Sequence, residues 1–455
     1  MRMIRGWAAL AGVAVVATLG ACTSYSHQAP RIRDALLRDD YEQAIQEVEK
    51  IDRSGSELLY CYELGLVLHE QGDYSASNAV LERAEQVLEE LYTRSISREI
   101  GAITVSETLV KYRGDAFEAV LVNYYKILNY LFLGDVDGAL VECRRLNLKL
   151  QWIHDAGETY FTDDPFLQYL TALVYELGGE PGSAEVSYRA ARVEYERSGA
   201  LPPPPPFACD AWENARRMGD AALADSYAGE ADCAEGDGPE GRVVVLVETG
   251  SVARKIETGF TVPIFEDDRF DDRDAYCHEL YARRGVPYDS RVRVKYWLKV
   301  ALPVLSEDPP VAYRAVVSAA RESSPRESGA PVRAVTVEDL DSQARRAFAE
   351  KETTVVMRAI ARALAKYLAT DVATEKNEGL GTLINLLGVV TEVADTRSWT
   401  TLPRDIQMAR LDLAPGTYRI DVDVLDEGGG VVVRRSFDDV NVRENRLEVR
   451  RVRLR

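Results

Sequence analysis

From Asp34 to Gly199 apolar residues recur at steps of three and four, and short polar phrases break the pattern at intervals. The breaks are Asp40-Tyr41-Glu42-Gln43-Ala44, Gly72-Asp73-Tyr74, Gly134-Asp135-Val136-Asp137-Gly138-Ala139 and Gly179-Glu180-Pro181-Gly182-Ser183-Ala184. Each closes one helical stretch and opens another, which predicts antiparallel helix pairs. Arg94 to Glu118 exceeds the spacing and reads as an insertion or a deformed unit lying across the groove. From Arg242 the period becomes that of strands: Val243 to Val247, Val292 to Leu305, Val311 to Ser318, Ile406 to Leu413, Thr417 to Leu425, Val431 to Arg435 and Arg446 to Arg453. A long amphipathic helix interrupts them, with Val337, Leu340, Ala344, Phe348, Val356, Ile360, Leu364 and Tyr367 on one face. Leu380 to Val393 is an apolar stretch too short to span a bilayer and reads as a buried helix. A β-sandwich or curved antiparallel sheet covered by the long helix is the economical outcome.

Two segments lie outside these patterns. Arg2 and Arg5 precede an apolar run from Trp7 to Leu19 and then small residues, the build of a secretory signal. Its end, Leu19-Gly20-Ala21-Cys22, resembles the bacterial lipobox, which implies cleavage before Cys22 and acylation of that residue. Acyl chains contribute roughly 0.8 kcal/mol per buried CH₂, enough to hold a protein at a membrane without a spanning helix. Thr23 stands where an Asp would signal inner-membrane retention, so the sorting rule implies the outer membrane. Thr23 to Arg33 reads as a polar tether. The second segment, Pro202 to Pro206, reads as a stiff extended spacer of about 15 Å. Phe207 to Met218 and Ala221 to Gly229 follow as two short helices, a half-formed last repeat. Their ends bring Cys209 beside Cys233, and an exported chain meets oxidising conditions, so a disulfide is expected there. Cys61 and Cys143 fall inside repeat helices and read as buried apolar residues; Cys277-His278 reads as a loop.

The helical phrases resemble tetratricopeptide turns. With Gly72 as the turn glycine, Gly65 and Ala84 take the small positions and Leu68 and Leu81 the large ones. The same register places Tyr130, Ala139 and Cys143 in a later unit and Tyr175, Ala184, Tyr188 and Ala191 in another, four units in all with degenerate outer ones. In such a domain the inner helices line a concave groove, here Leu59, Tyr62, Leu66, Leu121, Tyr124, Leu128, Phe166, Tyr169 and Leu173. A tyrosine-rich apolar groove suits peptide segments. The alternative is that the insertion or the β domain fills it. The expected layout is a signal peptide over 1–21, a lipidated tether over 22–33, tetratricopeptide-like repeats over 34–200, a proline linker with a short helical hairpin over 201–240, and a C-terminal β domain with inserted helices over 241–455. The fold class is multidomain, α then α+β.

Charge and chemistry narrow the function. Acidic residues exceed basic ones by 19, which argues against a nucleic-acid partner. The four histidines, His27, His69, His154 and His278, are far apart, and neither a phosphate-binding loop nor a nucleophile elbow nor a zinc-protease motif is present. A non-enzyme with no cofactor and no metal is expected. The best site for an anionic ligand is Asp395, Arg397 and Arg404, with Ser398 and Trp399 beside them. The competing reading pairs Asp395 with Arg397 and buries Trp399 in the core. The acidic run Glu266 to Asp274 lacks calcium-loop spacing and reads as a solvated loop.

Ala394-Asp395-Thr396-Arg397-Ser398-Trp399, then Leu402-Pro403 and Pro415-Gly416-Thr417-Tyr418, resemble the signature of a family of bacterial outer-membrane lipoproteins with an N-terminal tetratricopeptide region. The likeness covers nearly the whole mature chain, including Phe117 to Leu150 and Asp163-Asp164-Pro165-Phe166. It implies export, a lipid anchor facing the periplasm and partners that include other envelope lipoproteins of the penicillin-binding-protein activator type. The expected function is a scaffold that binds partner proteins for envelope assembly or maintenance. The alternative is an envelope protein or enzyme that uses the Asp395 corner on an anionic glycan or lipid head group.

Overall fold

The computed structural model describes residues 25–93, 111–155, 164–229, 241–265, 294–307, 312–376 and 393–455. Cys22, most of the insertion, Cys233, the acidic run after Phe265, Cys277-His278 and the apolar stretch from Leu380 to 392 lie outside them.

Among the described residues five helix pairs follow one another: α1 (Tyr25–Leu37) with α2 (Tyr41–Val48), α3 (Arg53–Gln71) with α4 (Tyr74–Thr93), α5 (Ala116–Phe132) with α6 (Val136–Asp155), α7 (Pro165–Leu177) with α8 (Pro181–Ser198), and α9 (Phe207–Met218) with α10 (Ala221–Ala228). The turns fall where the polar phrases put them. Gly72 ends α3 in the left-handed region at φ 89°, and Asp40 and Asp164 cap α2 and α7 by accepting from Gln43 N–H and Leu167 N–H. Close approach within a pair explains Gly65: a Cβ there would lie 2.4 Å from Leu81 Cδ2, and Ser77 Oγ donates to the Gly65 carbonyl at 2.7 Å.

Two expectations fail in this half. The tether is helix from Tyr25 onward, with Tyr25, Ala29 and Ile32 buried, because α1 supplies the apolar face that α2 needs. The proline run does not separate domains either. Pro204 is buried, and Phe207 docks among Tyr169, Tyr188 and Tyr195 at ring distances of 5.3, 5.9 and 5.5 Å. The last pair therefore continues the helical array, and Cys209, at its start, is disulfide-bonded.

The sheets form a sandwich. One is ordered β11 (Leu447–Leu454), β1 (Gly241–Thr249), β8 (Asp405–Leu413), β7 (Val335–Asp339). The other is ordered β10 (Val431–Val442), β9 (Gly416–Leu425), β4 (Arg314–Arg321), β5 (Ser324–Ser328), with β6 (Val332–Arg333) also on β4. Strand β1 is central, antiparallel to β8 and parallel to β11, and every residue of it is buried. Its odd positions, Val243, Val245 and Val247, join Val317, Ile420, Val422 and Val424 in the sandwich core. Its even positions, Val244 and Leu246, belong instead to the large core that contains the repeat helices. A strand covered on both faces reads as a continuous apolar run, as Val-Val-Val-Leu-Val does here. The two halves thus share one core.

The long helix α11 (Leu340–Lys376) begins three residues later than the apolar stripe suggests, because Val337 belongs to β7. Its buried residues are mostly small: Ala344 and Ala347 against the repeats, Ala359 and Ala363 against a separate hairpin of β2 (Lys255–Phe265) and β3 (Val294–Leu305). Phe348 and Val356 are half-buried and Leu364 is exposed, since alanines allow the helix axis to approach closer than large side chains would.

Candidate functional site

All nine residues assigned to the concave groove are buried, none more than 2% exposed. The β half of the chain occupies that face, so the expectation of a free groove is corrected and the self-filled alternative holds. Tyr62 stacks on Trp399 with ring centroids 4.4 Å apart and planes inclined by 17°. Tyr124 donates to Glu248 of β1 at 2.9 Å, and Tyr169 donates at 2.5 Å to Asp210 of α9. Asp210 in turn pairs with Arg242 of β1 and Arg410 of β8. A tyrosine is suited to this contact because its ring fills the core while its hydroxyl meets a polar group on the next layer.

Glu63 of α3 is a further junction between the halves. Fully buried, it accepts from the Tyr25 hydroxyl, from Thr400 N–H at 2.9 Å and Thr400 Oγ1 at 3.0 Å, and from Thr401 Oγ1 at 2.5 Å. Tyr25 also donates to the Ser398 carbonyl at 2.8 Å. Burial raises the Glu63 carboxyl above its ordinary range, partly offset by those donors. Beside it Glu118 accepts from Trp399 N–H at 2.7 Å and from Tyr112 at 2.5 Å, while Asp115 is held by Lys255 and Lys351. Residues 394–402 are thereby pinned to the first three helix pairs.

The Asp395 corner is engaged internally. Arg397 donates to Asp395 through Nε at 2.8 Å and Nη2 at 2.6 Å, and through Nη1 to the Gly55 carbonyl at 2.9 Å. Trp399 is fully buried, Ser398 is buried, and Arg404 uses its backbone on Thr249 and Asp341. The pairing and plugging reading is the one found, and the ligand-site reading of Asp395, Arg397, Ser398 and Trp399 is corrected: the Asp395–Arg397 fork is satisfied within the chain and Ser398 and Trp399 are buried, while Arg404 is tied in through its backbone.

An open cleft of about 1030 Å³ lies elsewhere, between the turn ends of the helix pairs and strand β11. One wall carries Asp39, Tyr41, Tyr74, Phe132 and Leu177; the other carries Arg435, Phe437, Arg443, Arg446 and β11 from Leu447 to Arg453, with Arg455 beyond. Among the described residues seven arginines line it against three carboxylates, Asp39, Glu70 and Glu448, in a chain whose net charge is −19. Arg451 bridges Glu70 and Glu248, and Arg455 reaches Glu70 at 2.9 Å. Burial pushes the Glu70 carboxyl up, but Arg451 and Arg455 outweigh it and bring it down to about 2. His69 at the base is neutral, since burial and Arg451 lower it to about 4. Arg435, Arg443 and Arg446 are exposed and form no ion pair among the described residues. Sequence reasoning missed this cleft, although the density of arginine from Arg434 to Arg455 in an acidic chain was a visible signal.

Two further clusters are structural. Glu82, Glu85 and Glu142 converge closely enough to hold a cation, but the Lys126 ammonium already sits among them at 2.7, 2.6 and 3.0 Å. Cys61 and Cys143 are free and buried, as expected, and burial pushes the Cys61 thiol up to about 11. No helix among the described residues is long and apolar enough to cross a membrane.

No family model and no curated protein matches the chain. Among solved structures, it is similar to PilW, a widely conserved type IV pilus biogenesis factor, at 15% identity over 50% of this chain and 87% of that one, with a TM-score of 0.28. A Podospora anserina kinesin light chain of tetratricopeptide-like repeats gives 12% over 45% and 92%, with 0.30. The Rap conjugation gene regulator of plasmid pLS20, bound to the Phr* peptide, gives 14% over 45% and 50%, with 0.25.

Proposed function

We propose that the protein is a non-enzymatic scaffold of the cell envelope, held at the periplasmic face of the outer membrane by a lipid on Cys22, and that it captures partner proteins through the arginine-lined cleft. The observation that carries partner binding is the cleft itself: it stays open while the repeat groove is closed by the chain's own sheet. Support for the anchor comes from Arg2, Arg5, the apolar run and Leu19-Gly20-Ala21-Cys22 with Thr23 after it, together with the resemblance to outer-membrane lipoproteins. Other envelope lipoproteins are the partner class that resemblance favours.

A photo-crosslinking amino acid placed at Phe437 or Arg443 in cells should yield discrete protein adducts, identified by mass spectrometry, whereas the same probe at Leu121 should yield none. Fatty-acid labelling of Cys22→Ala should be lost and the protein should leave the membrane fraction. Adducts absent from every cleft position would refute partner capture, and a labelled Cys22→Ala chain would refute the anchor.

A further inference from the structure

Strand β11 ends its sheet. Its neighbour on one side is β1, and on the other side no strand pairs with it among the described residues. Arg242 N–H donates to the Arg446 carbonyl and Gly250 N–H to the Leu454 carbonyl, both at 2.9 Å. In a parallel ladder with Arg242 opposite Leu447, even-numbered residues of β11 therefore bond to β1, and the peptide groups of Leu447, Val449, Arg451 and Arg453 point the other way. That open edge runs along the cleft, which is lined by every residue from Leu447 to Arg453. Natural proteins cover or blunt such edges unless a partner uses them. Among the described residues the Val449 carbonyl is capped by the adjacent Arg450 guanidinium alone, at 2.9 Å.

The charge of the cleft selects what could add there. Arg435 on β10, and Arg443 and Arg446 on the connection to β11, stand at the rim without ion partners among the described residues. Beneath them Arg451 and Arg453 carry buried Nε atoms with no hydrogen-bond acceptor among the described residues. An arginine surplus in a chain of net charge −19 is a local inversion of sign, which steers and holds anions. A volume of about 1030 Å³ is at the upper end of the roughly 300–1,000 Å³ typical of small-ligand pockets. It is open along a whole strand rather than closed round one point.

We propose that an extended, acidic segment of a partner protein adds to β11 as a further strand of the sheet. Its backbone pairs with Leu447, Val449, Arg451 and Arg453, and its carboxylates on alternate positions meet Arg435, Arg443 and Arg446. Main-chain pairing supplies affinity and the arginines supply selectivity. This rests on the scaffold reading and deepens it by naming the recognition mode.

The test uses the full chain in detergent and fluorescence anisotropy with labelled eight-residue peptides that alternate Asp or Glu with Val. The acidic peptide should bind, its Gln/Asn counterpart should bind at least tenfold more weakly, and affinity should fall as salt rises. Methylating the backbone nitrogens of alternate residues on one edge of the peptide should abolish binding, while methylating the other edge should not. The triple variant R435E/R443E/R446E alters exposed, unpaired side chains, so circular dichroism should match the parent while acidic-peptide affinity falls at least tenfold. Equal loss from either methylation pattern would overturn strand addition. So would binding to vesicles containing one fifth phosphatidylglycerol that the triple variant loses, without any peptide binding. If peptides fail but cellular crosslinks from the cleft persist, the recognition mode falls and the scaffold stands; if peptides bind yet no cellular adduct forms, the scaffold reading falls.

Discussion

Replacing Trp399 by alanine tests whether the two halves form one cooperative body. The indole is fully buried between the helix pairs and the sheet, stacked on Tyr62 of α3, 5.9 Å from the Tyr125 ring of α5, and donating Nε1–H to Thr401 at 3.1 Å. Truncation of a buried Trp or Phe to alanine costs about 3–5 kcal/mol, the larger values where the walls cannot collapse. Both walls here are held by hydrogen bonds to buried carboxyls, at Glu63 and Glu118, so about 4 kcal/mol is expected. Roughly 0.5–1.5 kcal/mol of that is the stacking itself. Losing the indole N–H adds no orphan, because Thr401 still donates to Glu63. Against a total stability of about 5–15 kcal/mol, the loss is large. Urea denaturation by far-ultraviolet circular dichroism should show one transition, moved to lower denaturant. Hydrogen exchange followed by mass spectrometry should show α3, α5 and β1 losing protection together. A variant in which β1 and β8 exchange faster while α3 and α5 keep their parental protection would refute the shared core.

Gly65→Ala should destabilise by about 1–3 kcal/mol, because the new Cβ meets Leu81 Cδ2 at 2.4 Å and Leu81 is fully buried; a thermal midpoint equal to the parent would contradict the packing. Burial, then the Asp164 carboxyl hydrogen-bonded to it, raises the Glu338 carboxyl well above the ordinary range. Its native value exceeds its unfolded one, so its stabilising contribution is complete below about pH 4.3 and is lost as pH rises through the native value. Glu338→Gln should therefore flatten the decline in thermal midpoint as pH rises above about 4.3, and an unchanged slope would count against the raised carboxyl. Cys61 and Cys143 should resist a thiol reagent at pH 8 in the native protein and react in urea, since both are buried and the Cys61 thiol is pushed up to about 11; native labelling would disprove their burial.

Local rules carried far into this fold. The helix pairs were legible because their turns need residues such as Gly72 and their close approaches need Gly65, and both demands are written in single positions. The Asp395 and Arg397 pair was legible because two residues of separation suffices for a fork to turn back on its own carboxylate. What each face packs against was not legible. Tyr25 meets Ser398 across 373 positions, and no periodicity encodes a contact at that separation. The stripe on α11 held at Leu340 and Ala344 and misled beyond them, because large apolar residues dominate a pattern read by size while the chain buries Ala347, Ala359 and Ala363. Strand β2 escaped notice since Ile256 to Thr261 is exposed throughout and so shows no alternation. The cleft escaped because it is made by an edge and by turns, which lack apolar signals.

The burial of Tyr25 sets how much slack the chain has beyond that point. From Cys22 to Tyr25 are three residue steps, which reach at most about 11 Å when fully extended. With a lipid on Cys22, the folded body would ride against the bilayer like a stud rather than float on a leash, its freedom confined to pivoting about that short stem. Any partner captured in the cleft would then be presented at a fixed height above the lipid, and lengthening the stem by inserted Gly-Ser repeats after Ser24 should disturb function without disturbing the fold.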